Sequence, residues 1–143
     1  MKKILYIILS CIILTGCELE QASSGPLDGN WQFRQIDTLA TEGITDMSAS
    51  YIYWAVESNL LLVRDIDNNN LKIFFRFDYS DEQLTIKEPS KTITKDELIP
   101  INDPSILIPF GIQGLEDHFA VEQNSHSNLI LRNEQYRLHF RKY

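Results

Sequence analysis

Residues 71–79 read LKIFFRFDY, and this stretch decides the fold. Apolar side chains occupy every second position from Leu71 to Tyr79, while Lys72, Arg76 and Asp78 stand among the residues between them. A period of two is the spacing of a β-strand, in which successive side chains point to opposite faces of a sheet. The stretch therefore predicts a strand with one face buried in a core.

The same period recurs on both sides of this stretch. Trp31 and Phe33 alternate with polar residues, Tyr136 to Phe140 do the same, and residues 51–56 are apolar on both faces. Turn-forming residues such as those at 67–70 separate the runs. The pattern predicts eight strands, at residues 30–37, 49–57, 60–66, 71–79, 83–87, 118–123, 128–132 and 135–142. Eight short antiparallel strands indicate an all-β domain, either an up-and-down barrel or a sandwich.

The chain begins with the features of a bacterial secretion signal. Lys2 and Lys3 precede an apolar run over residues 4–14, which is shorter than the about 20 residues of a membrane-spanning helix. Residues 14–17 read LTGC, which resembles the lipobox, where the cysteine receives a lipid and becomes the first mature residue. We expect a signal peptide at 1–16, acyl chains such as palmitate on Cys17, a tether over 17–26 and one domain at 27–143. An ordinary secretory peptide ending near a cysteine is the alternative.

The charge of the mature protein limits its partners. The chain carries 13 basic and 20 acidic residues, a net charge of −7, and loss of Lys2 and Lys3 leaves 11 against 20, or −9. Neither a nucleic acid nor an anionic membrane surface suits this charge, because both require clustered cations. Membrane attachment is expected through Cys17, in the outer membrane of a Gram-negative bacterium, on either face. Loss of Cys11 and acylation of Cys17 leave no free thiol.

Residues 98–114 read LIPINDPSILIPFGIQG and depart from the strand pattern. The segment is apolar, but Pro100, Pro104 and Pro109 remove amide donors that a central strand needs. An apolar, irregular segment of this length must pack on something. We predict a plug that closes one end of the barrel; the alternative is a lid over a ligand site, with Phe110 as its bulkiest contact.

A motif opens the predicted domain. Residues 27–31 read LDGNW, so that Gly29-x-Trp31 begins the first strand. This motif resembles the start of lipocalins, where the tryptophan packs across the closed end of an eight-stranded barrel. The last hairpin, residues 128–143, is similar to that of small lipocalin-like lipoproteins of Gram-negative bacteria. The resemblance implies an up-and-down, lipocalin-like barrel over most of 27–143, with no established ligand. It also implies an arginine over Trp31, and the candidates are Arg132, Arg137 and Arg141.

Metal sites are not predicted. Residues 65–69 begin like a calcium loop, but Asn70 stands where the loop needs glycine and Arg76 where it needs glutamate. A hairpin turn explains this stretch better. The histidines share no ligand spacing, and two of them, His126 and His139, are expected at the surface.

Catalysis is not predicted either. The acid pairs at 81–82, 96–97 and 116–117 border predicted turns, where solvated carboxylates are expected. Neighbours in an extended chain face opposite ways, so none of these pairs forms a glycosidase site by itself. The sequence contains no nucleophile elbow and no phosphate-binding glycine loop. We therefore expect no enzyme and no cofactor.

The predicted function is that of a non-enzymatic envelope lipoprotein whose barrel binds a small apolar or amphipathic ligand. Trp54 and Phe74 are predicted ligand contacts because each lies opposite another apolar face, and Phe110 is the third. The alternative is a protein-binding, glycan-binding or structural module without an internal ligand, and the sequence indicates no particular protein partner. An enclosed apolar pocket of about 300 Å³ or more would favour the first function, and a filled barrel the second.

Overall fold

The computed structural model describes residues 25–95 and 97–143. Within these ranges the chain forms ten strands and two short 3₁₀-helices, and the predicted signal peptide, Cys17 and most of the tether lie outside them. The strands are β1 (Gly29–Thr38), β2 (Gly43–Asp46), β3 (Ile52–Glu57), β4 (Leu60–Asp65), β5 (Leu71–Ser80), β6 (Gln83–Thr94), β7 (Glu97–Pro100), β8 (Asp117–Asn124), β9 (Asn128–Arg132) and β10 (Tyr136–Lys142). The 3₁₀-helices are Pro104–Ile106 and Ile108–Phe110.

Eight of these strands close into a barrel. Their order is β10-β9-β8-β6-β5-β4-β3-β1, every pair is antiparallel, and β1 pairs with β10 to complete the circle. Neighbours in the wall are mostly neighbours in the chain, as in an up-and-down barrel. The predicted all-β fold of about eight antiparallel strands in a lipocalin-like barrel is confirmed.

Two short strands were not predicted, and both are edge strands. β2 pairs with β1 alone and β7 with β6 alone, so neither needs the alternating pattern of a central strand. β7 takes in Leu98–Pro100, the beginning of the segment that we expected to be irregular throughout. Pro100 ends this strand, where the missing amide donor does no harm.

The inside of the barrel is filled with large side chains. Trp54 and Phe33 are at most 1% exposed, and Phe119 and Phe140 at most 2%. The ring centroids of Trp54 and Phe140 lie 4.8 Å apart, those of Phe33 and Phe140 4.9 Å, and those of Trp54 and Phe119 6.2 Å. These separations are those of packed aromatic pairs, so the rings form one contiguous cluster in the centre.

One end of the barrel, which we call the Trp31 end, is closed by Trp31 and Leu27. Trp31 is 1% exposed, and its Nε1 donates a hydrogen bond of 2.9 Å to the carbonyl of Leu27. Lys142 Nζ lies 4.5 Å from the centroid of the Trp31 ring and donates to the carbonyl of Asp28 at 2.6 Å. Gly29 has a φ of +127°, and the Lys142 side chain fills the place of its absent Cβ. The glycine of the motif therefore admits the cation that covers the tryptophan.

The prediction that an arginine covers Trp31 is wrong. Strand alternation explains the difference, because Lys142 shares the inward set with Leu138 and Phe140. The three predicted arginines, Arg132, Arg137 and Arg141, point to the outer face of the barrel. There, Arg137 Nε donates to Glu122 at 2.6 Å, and Arg132 Nε lies 4.0 Å from the same carboxylate.

The opposite end, which we call the plug end, is filled by residues 101–116 between β7 and β8. Leu107, Phe110 and Ile112 are at most 3% exposed, whereas Ile108 remains 52% exposed. Gly111 has a φ of +75°, and a Cβ at this position would collide with the Leu138 side chain. Both the backbone conformation and the close contact therefore favour glycine here. The burial of Phe110 agrees with a plug rather than with an open lid.

Buried polar groups hold the plug in place. Asn133 Nδ2 donates to the carbonyl of Gly111 and to Asp117 Oδ2, both at 2.9 Å. Asp117 also accepts from the backbone amides of Gln113 at 3.0 Å and His118 at 2.8 Å. Asp117 is 6% exposed, so the expectation of a solvated carboxylate at this position is wrong. Its burial is tolerated because both carboxylate oxygens are hydrogen-bonded.

Candidate functional site on the outer face of the barrel

The structure separates the three predicted ligand contacts. Trp54 points into the aromatic cluster and is 1% exposed, and Phe110 is buried in the plug. Phe74 faces outward from β5 and is half-buried. The three side chains therefore share no single site, and their role in ligand binding stays a prediction.

Trp54 has one chemical feature that packing does not satisfy. Its Nε1 is buried and has no hydrogen-bond acceptor in the described part of the chain. A buried N–H without a partner is uncommon, since leaving it unpaired costs about 1–3 kcal/mol.

An open cleft of about 270 Å³ lies on the outer face of β1, β3 and β4. We call it the Tyr53 cleft. The rings of Tyr53 and Tyr143 meet edge to face with their centroids 5.1 Å apart, and the Tyr143 amide donates to the carbonyl of Asn30 at 2.9 Å. The cleft is lined by Asn30, Tyr53, Ala55, Leu62, Arg64, Ile66 and Tyr143.

The barrel wall places two rows of outward side chains next to each other at this cleft. Strand register puts the first row in the order Arg141, Gln32, Tyr53, Arg64 and Lys72 across β10, β1, β3, β4 and β5, and we call it the basic row. The second, the apolar row, runs through Asn30, Ala55, Leu62 and Phe74, with Tyr143 beside Asn30 at one end. Cations and apolar groups thus line the same stretch of wall.

Arg64 is held in a defined position by the turn between β4 and β5. Its Nε donates to Asn70 Oδ1 at 2.7 Å, and Asn70 has a φ of +54°. Asparagine tolerates this left-handed conformation better than most residues. The stretch that begins like a calcium loop is therefore a tight turn that orients an arginine.

A larger open cleft of about 600 Å³ lies where β6 passes between β7 and β8. Its cation, Lys87, donates to Asp78 at 2.6 Å, which raises the pKa of the lysine, and Glu88 lies 3.2 Å from Arg76. Its cation is thus already paired with a neighbouring acid, and one of its two acids with a neighbouring arginine; the other acid is Glu116.

Two of the three histidines are paired with polar side chains of neighbouring strands. His139 Nε2 lies 2.7 Å from Asp37 Oδ2, and His118 Nδ1 lies 3.0 Å from Thr85 Oγ1. Burial raises the pKa of Asp37, but the hydrogen bonds to His139 and Gln35 outweigh burial and hold the pKa below its usual value. Across residues 25–95 and 97–143, no three His, Cys, Asp or Glu side chains come together to hold a metal ion, and no helix is long and apolar enough to span a membrane.

A family model described as a lipocalin-like domain matches residues 12–143. The chain belongs to this lipocalin-like family. One similar solved structure is a lipocalin-like protein from Bacteroides uniformis ATCC 8492, with 22% identity over 83% of this chain and 100% of that one, at a TM-score of 0.64. Another is an uncharacterized protein from Bacteroides eggerthii DSM 20697, with 18% identity over 81% and 98%, at a TM-score of 0.62. No curated protein matches the chain.

The match to the family model confirms the predicted resemblance to lipocalin-like domains. The two solved structures, at 22% and 18% sequence identity, support the fold alone. Sequence reasoning missed Arg64 and the outward position of Tyr53 beside it. A signal existed, because the two-residue turn Ser58–Asn59 pairs Glu57 with Leu60 and so brings Tyr53 opposite Arg64. The pairing of β1 with β3 and β10, which completes the rows, has no such local signal.

Proposed function

We propose that this lipocalin-like protein is a non-catalytic binding module, held at the cell envelope by a lipid on Cys17, and that it binds its ligand in the Tyr53 cleft outside the barrel. The filled interior is the observation that carries this proposal. Trp54, Phe33, Phe119 and Phe140 occupy the centre with their own rings, where an internal ligand would have to lie.

The Tyr53 cleft has what an external binding site needs. Two aromatic rings offer flat apolar contact, Leu62 gives an apolar floor, and Arg64 supplies a charged donor held in place by Asn70. A few oriented polar groups among apolar ones are typical of small-molecule sites.

A fluorescent amphiphilic probe, anilinonaphthalene sulfonate, tests the location of the site. The processed protein is placed in vesicles of neutral phosphatidylcholine, and the signal of protein-free vesicles is subtracted. We expect Tyr53→Ala to weaken probe binding several-fold and Tyr51→Ala, an exposed tyrosine outside the cleft, to leave it unchanged. Loss of binding in Trp54→Phe with normal binding in Tyr53→Ala would move the site into the barrel.

The unpartnered Nε1 of Trp54 favours a second candidate function, in which a small ligand with a hydrogen-bond acceptor enters the barrel. Trp54→Phe removes this donor and keeps an aromatic ring in the cluster. If the ligand binds inside the barrel, Trp54→Phe should weaken its binding, because the hydrogen bond to its acceptor group is lost. If the ligand binds in the Tyr53 cleft, the variant should change only the packing of the aromatic cluster and leave ligand binding unchanged.

The lipid anchor has its own test. We expect Cys17→Ser to give an unprocessed precursor that takes up no labelled palmitate in growing cells. The motive is the sequence LTGC at residues 14–17. Palmitate labelling that persists in the variant would contradict the anchor without affecting the proposal for the Tyr53 cleft.

A further inference from the structure

We propose that the ligand of the Tyr53 cleft is an anionic amphiphile, a small molecule with an apolar chain or ring and one carboxylate, sulfate or phosphate group. This inference rests on the proposed external site and adds the chemical class of its ligand. It follows from the charges of the basic row and from the row that lies beside it.

The basic row concentrates positive charge in an acidic protein. It contains Arg141, Arg64 and Lys72 and no aspartate or glutamate, although the chain as a whole has a net charge of −7. Five strands at about 4.8 Å spacing give a row of about 19 Å. An anion that approaches this stretch of wall therefore meets cations on both sides of Tyr53.

These cations are not neutralised by neighbouring acids. Within the described residues, the ion pairs involve other cations and none of Arg64, Lys72 or Arg141; they are formed by Arg76, Lys87, Arg132, Arg137 and His139. Arg64 and Lys72 stand directly opposite each other on β4 and β5. Like charges in such a pair destabilise a sheet, and a bound anion would relieve the repulsion.

The apolar row defines the other half of the ligand. Leu62 and Phe74 stand opposite each other, Ala55 lies beside Leu62, and Tyr143 covers the outer end with a side chain that is 78% exposed. An apolar body lying along this row would keep its charged group within reach of Arg64. An anion without an apolar part would leave the row unused.

The size of the cleft favours a short ligand. Its volume of about 270 Å³ is at or just below the lower limit of the range of roughly 300–1,000 Å³ that holds drug-sized molecules. We therefore use octanoate as the probe, with octanol as the same chain without charge and acetate as the same charge without a chain.

The experiment measures magnetic resonance shifts of labelled tyrosine rings in the processed protein, held in neutral phosphatidylcholine vesicles. We expect octanoate to shift the signals of Tyr53 and Tyr143 saturably. Octanol and acetate should bind with at least tenfold lower affinity. Arg64→Gln combined with Lys72→Gln should lower the affinity for octanoate at least tenfold and change the affinity for octanol less than twofold. The matched control, Lys95→Gln combined with Arg132→Gln, removes one lysine and one arginine elsewhere and should bind octanoate normally.

Other outcomes overturn the inference in distinguishable ways. If octanol binds at Tyr53 as tightly as octanoate, the proposal that the ligand is anionic is wrong, while the proposed external site still stands. Acetate binding as tightly would make the site one for small anions. Movement of both tyrosine signals on adding phosphatidylglycerol to the vesicles, without octanoate, would make this face a membrane contact. In a second sample with labelled tryptophan rings, octanoate shifts at Trp54, together with none at Tyr53 in the first sample, would refute the proposed external site itself.

Discussion

The two ends of the barrel are closed by different means. At the Trp31 end, one large side chain on β1 fills the opening, and Lys142 from the last strand lies across it. At the plug end, a whole chain segment folds into the opening, and Asn133 and Asp117 fix its backbone through hydrogen bonds. The first closure is mainly apolar burial, and the second combines apolar burial with a buried polar network.

This difference predicts different sensitivities. Apolar burial loses stability in proportion to the side-chain volume removed. A buried polar network loses more when one member is replaced than its share of hydrogen bonds suggests, because the remaining partners are left unpaired. The loss of stability caused by substitutions at the Trp31 end should therefore increase with the side-chain volume removed. At the plug end, it should increase with the number of polar groups left without a partner.

The largest effect is expected from Trp31→Ala at the Trp31 end. Loss of a buried tryptophan costs about 3–5 kcal/mol, and loss of the contact with Lys142 adds about 1–2 kcal/mol. Urea denaturation of the full chain measures the free energy of unfolding, with Leu60→Ala, at a residue that is 45% exposed, as a control expected within about 0.5 kcal/mol. An unchanged free energy would mean that Trp31 does not close the barrel.

Phe110→Ala should come next, at the plug end. We expect a loss of about 3 kcal/mol because the ring is 3% exposed, and faster amide exchange at residues 107–112. Ile108→Ala is the matched control, since this neighbour in the same 3₁₀-helix is 52% exposed and should change little. A stable Phe110→Ala protein with weakened octanoate binding would instead identify the segment as a lid.

Asn133→Asp should destabilise the plug end by about 2–3 kcal/mol at neutral pH. The variant keeps an oxygen for the amides of Gln135 and Tyr136, but it loses the donor to Asp117 and places a second carboxylate beside it. Lowering the pH should restore part of the loss by protonating one of the two acids. Glu134→Asp is a control at an exposed neighbour, and equal losses in both variants would rule out the polar network as the cause.

The smallest expected effect is the pH dependence due to Asp37, which lies on the half of β1 nearer the plug end. A carboxyl with a lowered pKa in the folded state stabilises the fold above its ordinary pKa, and this contribution is lost as the pH falls below that value. We expect Asp37→Asn to flatten the acid limb of the stability curve by about 1 kcal/mol or less. Gln35→Ala is a comparison that removes the second hydrogen bond, and an unchanged acid limb in Asp37→Asn would show that this carboxyl does not contribute.

The Trp31 end was largely predictable from the sequence, and the plug end only in part. Gly29-x-Trp31 indicated the closure, and the alternation of Leu138 and Phe140 could have pointed to Lys142 as the covering cation. The three prolines indicated a plug, but not that Asp117 is buried. That burial depends on Asn133, which reaches it across β8 and β9 and has no local signature.

The external site was predictable to a smaller degree. Phe74 is a predicted ligand contact because it lies opposite another apolar face, and it does lie in the apolar row. Trp54 is predicted on the same ground, and the structure places it in the core instead, away from this cleft. The basic row depends on pairings of β1 with β3 and β10, and the β1–β10 pairing joins residues about a hundred positions apart. Such registers follow from closure of the barrel and not from any short stretch of sequence.

The pairing of β1 with β10 also determines the order in which the molecule can assemble. Trp31 meets Lys142 in register, so the wall closes only when the last strand has been made and has returned to the first. Bringing such distant positions together costs chain entropy before their contacts can form, so we expect closure to be a late step of folding. Until that step, one edge of β1 has no partner and Trp31 lacks its cover. The end of the barrel that Trp31 closes is thus the one expected to remain exposed longest while the chain folds.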